Sequence, residues 1–113
     1  MKKLFTTIAI AIGILVPSVA QTTLEEANQL YADGNYTDAI AAYEYLLQEN
    51  ASAELHYNLG NAYFRQNELA KAILNYERAL RIRPYFKDAR YNLKFAQSRI
   101  TDNIEDKDAF FVK

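Results

Sequence analysis

Residues 53–86 read AELHYNLGNAYFRQNELAKAILNYERALRIRPYF, and the spacing in this stretch predicts two helices with a turn between them. Leu55, Leu59, Ala62 and Tyr63 recur at the interval of one helix face. Ser52, directly before them, is a residue type that caps a helix N-terminus. Gln66-Asn67-Glu68 interrupts the pattern, and Ala72, Ile73, Tyr76, Ala79 and Leu80 resume it. Arg81 and Arg83 fall in the last turn, where the helix dipole favours cations. Pro84 ends the second helix, since it lacks the N–H and its ring clashes with the preceding turn. Gly60 on one helix and Ala72 on the other permit a close antiparallel approach, and the large residues fill the space around that contact.

The same unit recurs on either side. A shift of 33 residues superposes Asn28 on Asn61, Ala39 on Ala72, Ile40 on Ile73, Tyr43 on Tyr76, Glu44 on Glu77 and Leu47 on Leu80. A shift of 34 superposes Tyr57-Asn58-Leu59 on Tyr91-Asn92-Leu93 and Ala62 on Ala96. Periods of this size mark stacked supersecondary units. In the first copy Thr23 and Glu26 form a capping-box pair ahead of Leu24, Ala27, Leu30 and Tyr31. Asp33-Gly34-Asn35 is a turn, and Thr37 is expected to cap a second helix with the stripe Ala39, Ile40, Tyr43, Leu46, Leu47. Asn50-Ala51-Ser52 separates the copies. Residues 87–101 read as one further helix of the first type, with Ala89, Leu93 and Ala96 facing the array. The positions that would hold a partner helix are Arg90, Lys94 and Gln97, all polar. That helix is therefore expected to act as a solvated cap.

Segment 53–86 resembles a tetratricopeptide repeat (TPR) almost position by position, through Leu59-Gly60, Tyr63, Ala72, Tyr76, Ala79 and Pro84. Segment 20–52 resembles it less closely, with Ala27 in place of the glycine, Leu46 in place of the second small residue and Ala51 in place of the proline. The resemblance implies an all-α fold: two helix-turn-helix repeats, 20–52 and 53–86, and a capping helix 87–101, stacked as a right-handed superhelical array. Some TPR domains clamp a C-terminal carboxylate with two asparagines and several basic residues. Asn28 and Asn58 match the asparagines, but the basic positions read Leu24, Asp88 and Asn92, so no such ligand is expected.

At the N-terminus, Met1-Lys2-Lys3 is followed by a mostly apolar run from Leu4 to Val16, then Pro17 and Ser18-Val19-Ala20. That order predicts a secretory signal peptide, residues 1–20, with Gln21 as the new terminus. The apolar run is shorter than the ~20 residues a spanning helix needs. At the other end, Asp102 to Asp108 is polar and acidic, and Ala109-Phe110-Phe111-Val112-Lys113 closes the sequence. Residues 102–113 read as an acidic and aromatic tail or linker, which either folds back on the cap helix or leads into something longer.

Taken together, the leader, the two YNLG-like repeats, the lone cap helix and the Phe-Phe-Val-Lys end resemble the N-terminal region of BatE-type proteins of the Bacteroides aerotolerance operons. The resemblance implies a periplasm-facing envelope protein, with von Willebrand factor A-domain proteins as possible partners and membrane proximity through downstream segments that this sequence does not contain.

Composition narrows the chemistry. There are 13 Lys+Arg against 14 Asp+Glu. A nucleic-acid partner, which would call for a clustered basic excess, is not expected. With no Cys and a single His, His56, neither thiol catalysis nor a Cys- or His-rich metal site is expected. No phosphate-cradling glycine string occurs, so no cofactor is expected. Glu25-Glu26 and the tail acids have ordinary roles at a helix start and in solvent, and His56 beside Leu55 reads as a packing residue. No nucleophile, base or metal constellation emerges, and the chain reads as non-enzymatic. Nine Tyr and six Phe are many for so short a chain. The first helices of stacked units line a concave face, which makes Asn28, Tyr31, Tyr57, Asn58, Asn61, Phe64, Arg65, Tyr91, Asn92 and Phe95 the groove residues for a peptide or protein partner. Asn side chains can pair with a peptide backbone, and aromatics give large contact area at small entropic cost. The competing role for the same residues is structural: rings packed between helices and amides pairing with neighbours. Arg65, Arg90, Lys94 and Arg99 could form a looser basic edge. The competing function class is a self-associating module, driven by the cap helix or by Phe110-Phe111.

Overall fold

Two side-chain caps and two left-handed residues set the boundaries of the helices. In the computed structural model, the backbone is described for residues 22–112 and the side chains for 22–104. The leader read at 1–20 lies outside the described residues. Five α-helices are described: α1 Leu24–Ala32, α2 Tyr36–Glu49, α3 Ala53–Arg65, α4 Leu69–Ile82 and α5 Lys87–Val112. The backbone N–H of Glu26 donates to Thr23 Oγ1 at 3.2 Å, and that of Leu55 donates to Ser52 Oγ at 3.1 Å. Each bond satisfies one donor that a helix start leaves unpaired. Thr37 does not cap α2 as expected. The helix begins two residues earlier than such a cap implies, at Tyr36, and Thr37 Oγ1 instead accepts a bond of 2.6 Å from Gln66 Nε2.

The turns inside the two repeats are built alike. Gly34 (φ 84°) and Asn67 (φ 61°), 33 positions apart, both sit in the left-handed region. There the chain reverses while Asn35 N donates to Leu30 O and Glu68 N to Tyr63 O, each at 2.9 Å. Glycine adopts that conformation freely, and asparagine is among the few other residues that tolerate it.

The interior is made of alanines around one tyrosine per repeat. Ala27, Ala39, Ala42, Tyr43, Leu55, Leu59 and Ala62 form one buried cluster across α1, α2 and α3. Ala72, Tyr76 and Ala96 form a second across α4 and α5, and Ala53, Ala79 and Ala89 a third, where α3, α4 and α5 converge. Small side chains bring helix axes close, and the rings of Tyr43 and Tyr76, the largest fully buried side chains, fill what remains. Gly60 belongs to the same design: a Cβ built on it would lie 2.7 Å from Tyr76 Cε1.

The cap helix differs from expectation at its far end. Ala89 and Ala96 are buried against the array and Arg90, Lys94 and Gln97 are exposed, as the pattern predicts. The helix does not stop at Thr101, however. It runs on to Val112, so the stretch read as a tail or linker is helical over 102–112. No Gly or Pro occurs from Lys87 to Val112, and without a breaker the acidic composition alone does not end a helix. Among the described residues no helix is long and apolar enough to cross a membrane.

Candidate functional site

The first helix of each unit, α1, α3 and α5, carries asparagines whose positions recur with the repeat, and the structure joins them in a ladder. Tyr43 Oη donates to Asn28 Oδ1 at 2.5 Å, and the same oxygen accepts from Asn58 Nδ2 at 3.3 Å. One repeat on, Tyr76 Oη donates to Asn61 Oδ1 at 2.6 Å, and that oxygen accepts from Asn92 Nδ2 at 3.0 Å. Asn92 Nδ2 also lies 3.3 Å from Tyr57 Oη. Each rung solves one problem: a buried tyrosine needs an acceptor for its hydroxyl, because an unpaired polar group in a dry interior is costly. Each rung also ties its unit to the next one along the array.

Burial has a second consequence for these rings. It pushes the Tyr43 phenol up to about 12, with the Tyr31 and Glu54 charges adding to it, and it pushes Tyr76 higher still, Tyr57 adding to the effect. Removing a phenolate from water disfavours the charged form. Tyr63 is also pushed up to about 12, by burial first and then by its hydrogen bond to the Glu44 carboxylate.

Two hollows open above the ladder on the face formed by α1, α3 and α5. The larger, about 320 Å³, is lined by Tyr31, Asn61, Phe64, Arg65, Tyr76, Tyr91, Asn92 and Phe95. The smaller, about 210 Å³, is lined by Asn28, Tyr31, Tyr43, Glu54, Asn58 and Asn61. Nine of the ten residues expected in a groove thus border these hollows. The tenth, Tyr57, does not. Its ring packs 4.9 Å from Phe86 and 6.1 Å from Tyr76, between helices, so it is a packing residue. The rim and the floor differ in freedom. Tyr91 is 71% exposed and Phe95 46%, with Phe95 against Phe64 at 5.6 Å between ring centroids. Asn28, Asn58, Asn61 and Asn92 lie along the floor with at least one polar atom committed to the ladder.

The suggested basic edge is not a single surface. The Arg65 guanidinium lies over Tyr36, 4.9 Å from the ring centroid, and that of Arg99 lies 5.8 Å from Phe64. Arg90 Nη2 donates to Pro84 O at 2.7 Å. These contacts commit the cations to three different places: Arg65 to α2, Arg99 to α3 and Arg90 to the loop before α5. His56 is not a simple packing residue either. Its Nδ1 lies 3.1 Å from Oδ1 of the buried Asn75, whose Nδ2 donates to Lys71 O at 2.9 Å. The second bond fixes the Asn75 amide, so His56 Nδ1 carries the proton.

Reading the sequence missed three lining residues, Tyr43, Glu54 and Tyr76. The two tyrosines were assigned to packing alone. Their signal lay in the constant separation of 15 between each tyrosine and the asparagine that accepts its hydroxyl.

Comparison with known proteins bears on the same stretch. A family model described as tetratricopeptide repeat matches residues 24–85. Sperm-associated antigen 1 of Rattus norvegicus is 36% identical over 78 residues, which is 68% of this chain and 9% of that protein. The chain thus spans less than a tenth of that relative's length.

Proposed function

We propose a function from one premise: this chain belongs to the tetratricopeptide-repeat family, whose members are in general non-catalytic modules that bind protein partners. The reading is that α1, α3 and α5, stacked with the right-handed superhelical sense of the family, present the concave face to a peptide or protein segment. The observation that carries it is the contrast between rim and floor of the larger hollow. The floor asparagines and Tyr76 are held by internal hydrogen bonds, while Tyr91 and Phe95 stand exposed at its edge. Large exposed aromatics beside a concave polar floor are what binding hot spots are made of. Asn61 and Asn92 each retain a further polar atom with which to pair a peptide backbone.

The cellular setting rests on the termini and on the family resemblance. Lys2, Lys3, the apolar run and Ser18-Val19-Ala20 support export with cleavage after Ala20. The BatE-type resemblance supports a periplasm-facing scaffold for an envelope complex, with von Willebrand factor A-domain proteins as partners. N-terminal sequencing of the secreted fraction tests the first point, and a terminus other than Gln21 would count against it.

The groove reading is tested with a Tyr91→Ala/Phe95→Ala variant in a crosslinking capture from envelope extract of the native host, beside the unaltered chain. Both positions are exposed, so the variant is expected to keep its melting temperature and lose the partners. Equal capture by both proteins would remove the groove from consideration. Tyr57 and Asn61 are unsuitable probes, since both hold helices together.

A further inference from the structure

The outer face of α4 carries a stripe that the concave site does not use. Leu74, Arg78 and Ile82 follow at intervals of four along one side of the helix. Leu74 is 41% exposed and Ile82 52%, and Arg78 stands exposed between them. A hollow of about 230 Å³ opens beside the stripe, lined by His56, Arg78, Arg81 and Ile82, with no carboxylate among its lining residues. Glu77 adjoins Arg78 in the sequence, and Glu44 borders the neighbouring hollow together with Lys71 and Arg78. The equivalent positions on α2, 33 residues earlier, are Ala41, Tyr45 and Glu49. The apolar–cation–apolar order of α4 is therefore not shared by the equivalent positions of α2.

The far end of α5 is the counterpart. Beyond Ile100 the helix continues for twelve residues to Val112, about 18 Å at 1.5 Å per residue. Thr101, Asp102 and Asn103 are exposed, and Ile104 is 54% exposed. Positions 104, 108 and 111, which are Ile, Asp and Phe, share one side of the helix at intervals of four and three. Lys107 lies on the same side, three residues after 104 and four before 111, so one acid and one base stand between the two apolar positions. Asp102, Glu105, Asp106 and Asp108 against a single Lys107 make the stretch acidic. The stretch continues a helix already nucleated and packed from Lys87. It cannot return to its own α4: α5 is committed to the array through Ala89, Leu93 and Ala96, and the extension carries the same helix onward.

We infer that residues 101–112 of α5 dock along the outer face of α4 in a second copy of this chain, the acidic helix end meeting the side of α4 that carries Leu74, Arg78 and Ile82. The two surfaces are complementary in charge: the α4 stripe has Arg78 between two apolar residues, and the end of α5 carries four acids against one lysine with apolar positions at 104 and 111. Two such contacts related by a two-fold axis give a closed dimer. The surface is separate from the concave site, so the inference does not depend on the groove reading.

Charge reversal and rescue test it. Light scattering on the purified chain over a concentration series should give a mass above that of one chain, falling as salt is raised. Arg78→Glu and Asp108→Arg should each weaken association at least about tenfold, since each sets like charges face to face. The two together should restore it. Tyr91→Ala/Phe95→Ala should leave it intact. A single-chain mass throughout, unchanged association in either reversal, or a double variant no better than the singles would each overturn the proposal. Circular dichroism checks that the variants fold, and Asp108→Arg, twelve positions beyond Ala96 in the sequence, keeps the test valid should Arg78→Glu disturb α4.

Discussion

Replacing Gly60 with alanine puts a methyl carbon where an aromatic ring already stands. The new Cβ would lie 2.7 Å from Tyr76 Cε1 and 2.8 Å from Cδ1, whereas carbon atoms in contact prefer about 3.5–4.0 Å. The ring must therefore move by about 1 Å. It is not free to do so: it is buried, its hydroxyl is held by Asn61 at 2.6 Å, and Tyr57 packs against it. Two effects oppose each other. Alanine is favoured over glycine inside a helix by about 1 kcal/mol, while forcing a methyl into a filled core costs about 1–3 kcal/mol. A strained Tyr76–Asn61 bond adds a loss of about 1 kcal/mol. The net expectation is a loss of about 1–3 kcal/mol, which for a domain of this size lowers Tm by roughly 5–25 °C.

The first repeat shows why the cost stays finite. Ala27 holds the equivalent place beside Tyr43 and both are fully buried, so a ring position compatible with a Cβ exists. Freeing the ring should then relieve the strain. Tyr76→Phe alone should cost about 1 kcal/mol for the lost hydrogen bond, and Gly60→Ala with Tyr76→Phe should cost less than the sum of the two. Thermal and urea unfolding of the four proteins measure this directly. If Gly60→Ala matches or exceeds the parent in stability, or if the two losses simply add, the tyrosine hydroxyl does not pin the ring and the packing argument fails.

Other outcomes follow from the same contacts. Ser52→Ala should cost about 1 kcal/mol in urea unfolding by removing the cap of α3, while Thr37→Ala, which caps nothing and bonds Gln66 at the surface, should change stability by under about 0.5 kcal/mol. Raising pH should unfold the domain: ionisation of Tyr43 is pushed up to about 12 when folded against about 10 when unfolded. The folded state therefore keeps protons that the unfolded state has lost. Stability should be intact below pH 10 and fall by about 1.4 kcal/mol per pH unit for each such tyrosine as pH climbs toward 12. Denaturant titrations with phenolate absorbance across that range check the slope, and a flat profile would contradict it.

The sequence was most legible where helix identity depends on a few residues of restricted behaviour. Ser52, Gly34 and Pro84 mark boundaries that no tertiary contact needs to adjust, and the alanines that recur at 33 fix which faces meet. Thr37 misled because a hydroxyl near a helix start has two outlets, the backbone and a neighbouring side chain, and only the fold supplies Gln66. The end of α5 was misread for a related reason. An acidic, polar composition suggests linker, but a helix already nucleated and packed from Lys87 continues until something stops it, and nothing in 102–112 does. The groove was legible as a set of positions rather than as roles. Repeat register places a side chain on the concave face, but whether it stays free there depends on what lies beneath, and that is a question of tertiary burial.

The ladder therefore bears on how recognition can vary in this protein. The asparagines that resemble peptide-binding residues most closely are those whose carbonyls or amides hold Tyr43 and Tyr76, so replacing them would loosen the stack before it altered a ligand. Tyr91 and Phe95, on the helix that no further described helix covers, meet no such constraint. On the groove proposal, specificity would be retuned at those two positions, and at Arg65 across the hollow, without touching a buried polar group. The cap helix is thus both the element that closes the core over Ala72 and Tyr76 and the one that supplies the exposed aromatic rim. A solvated terminal helix is required for solubility in any short array. Here α5 has one face packed on the array through Ala89 and Ala96 and another on which Tyr91 and Phe95 are exposed.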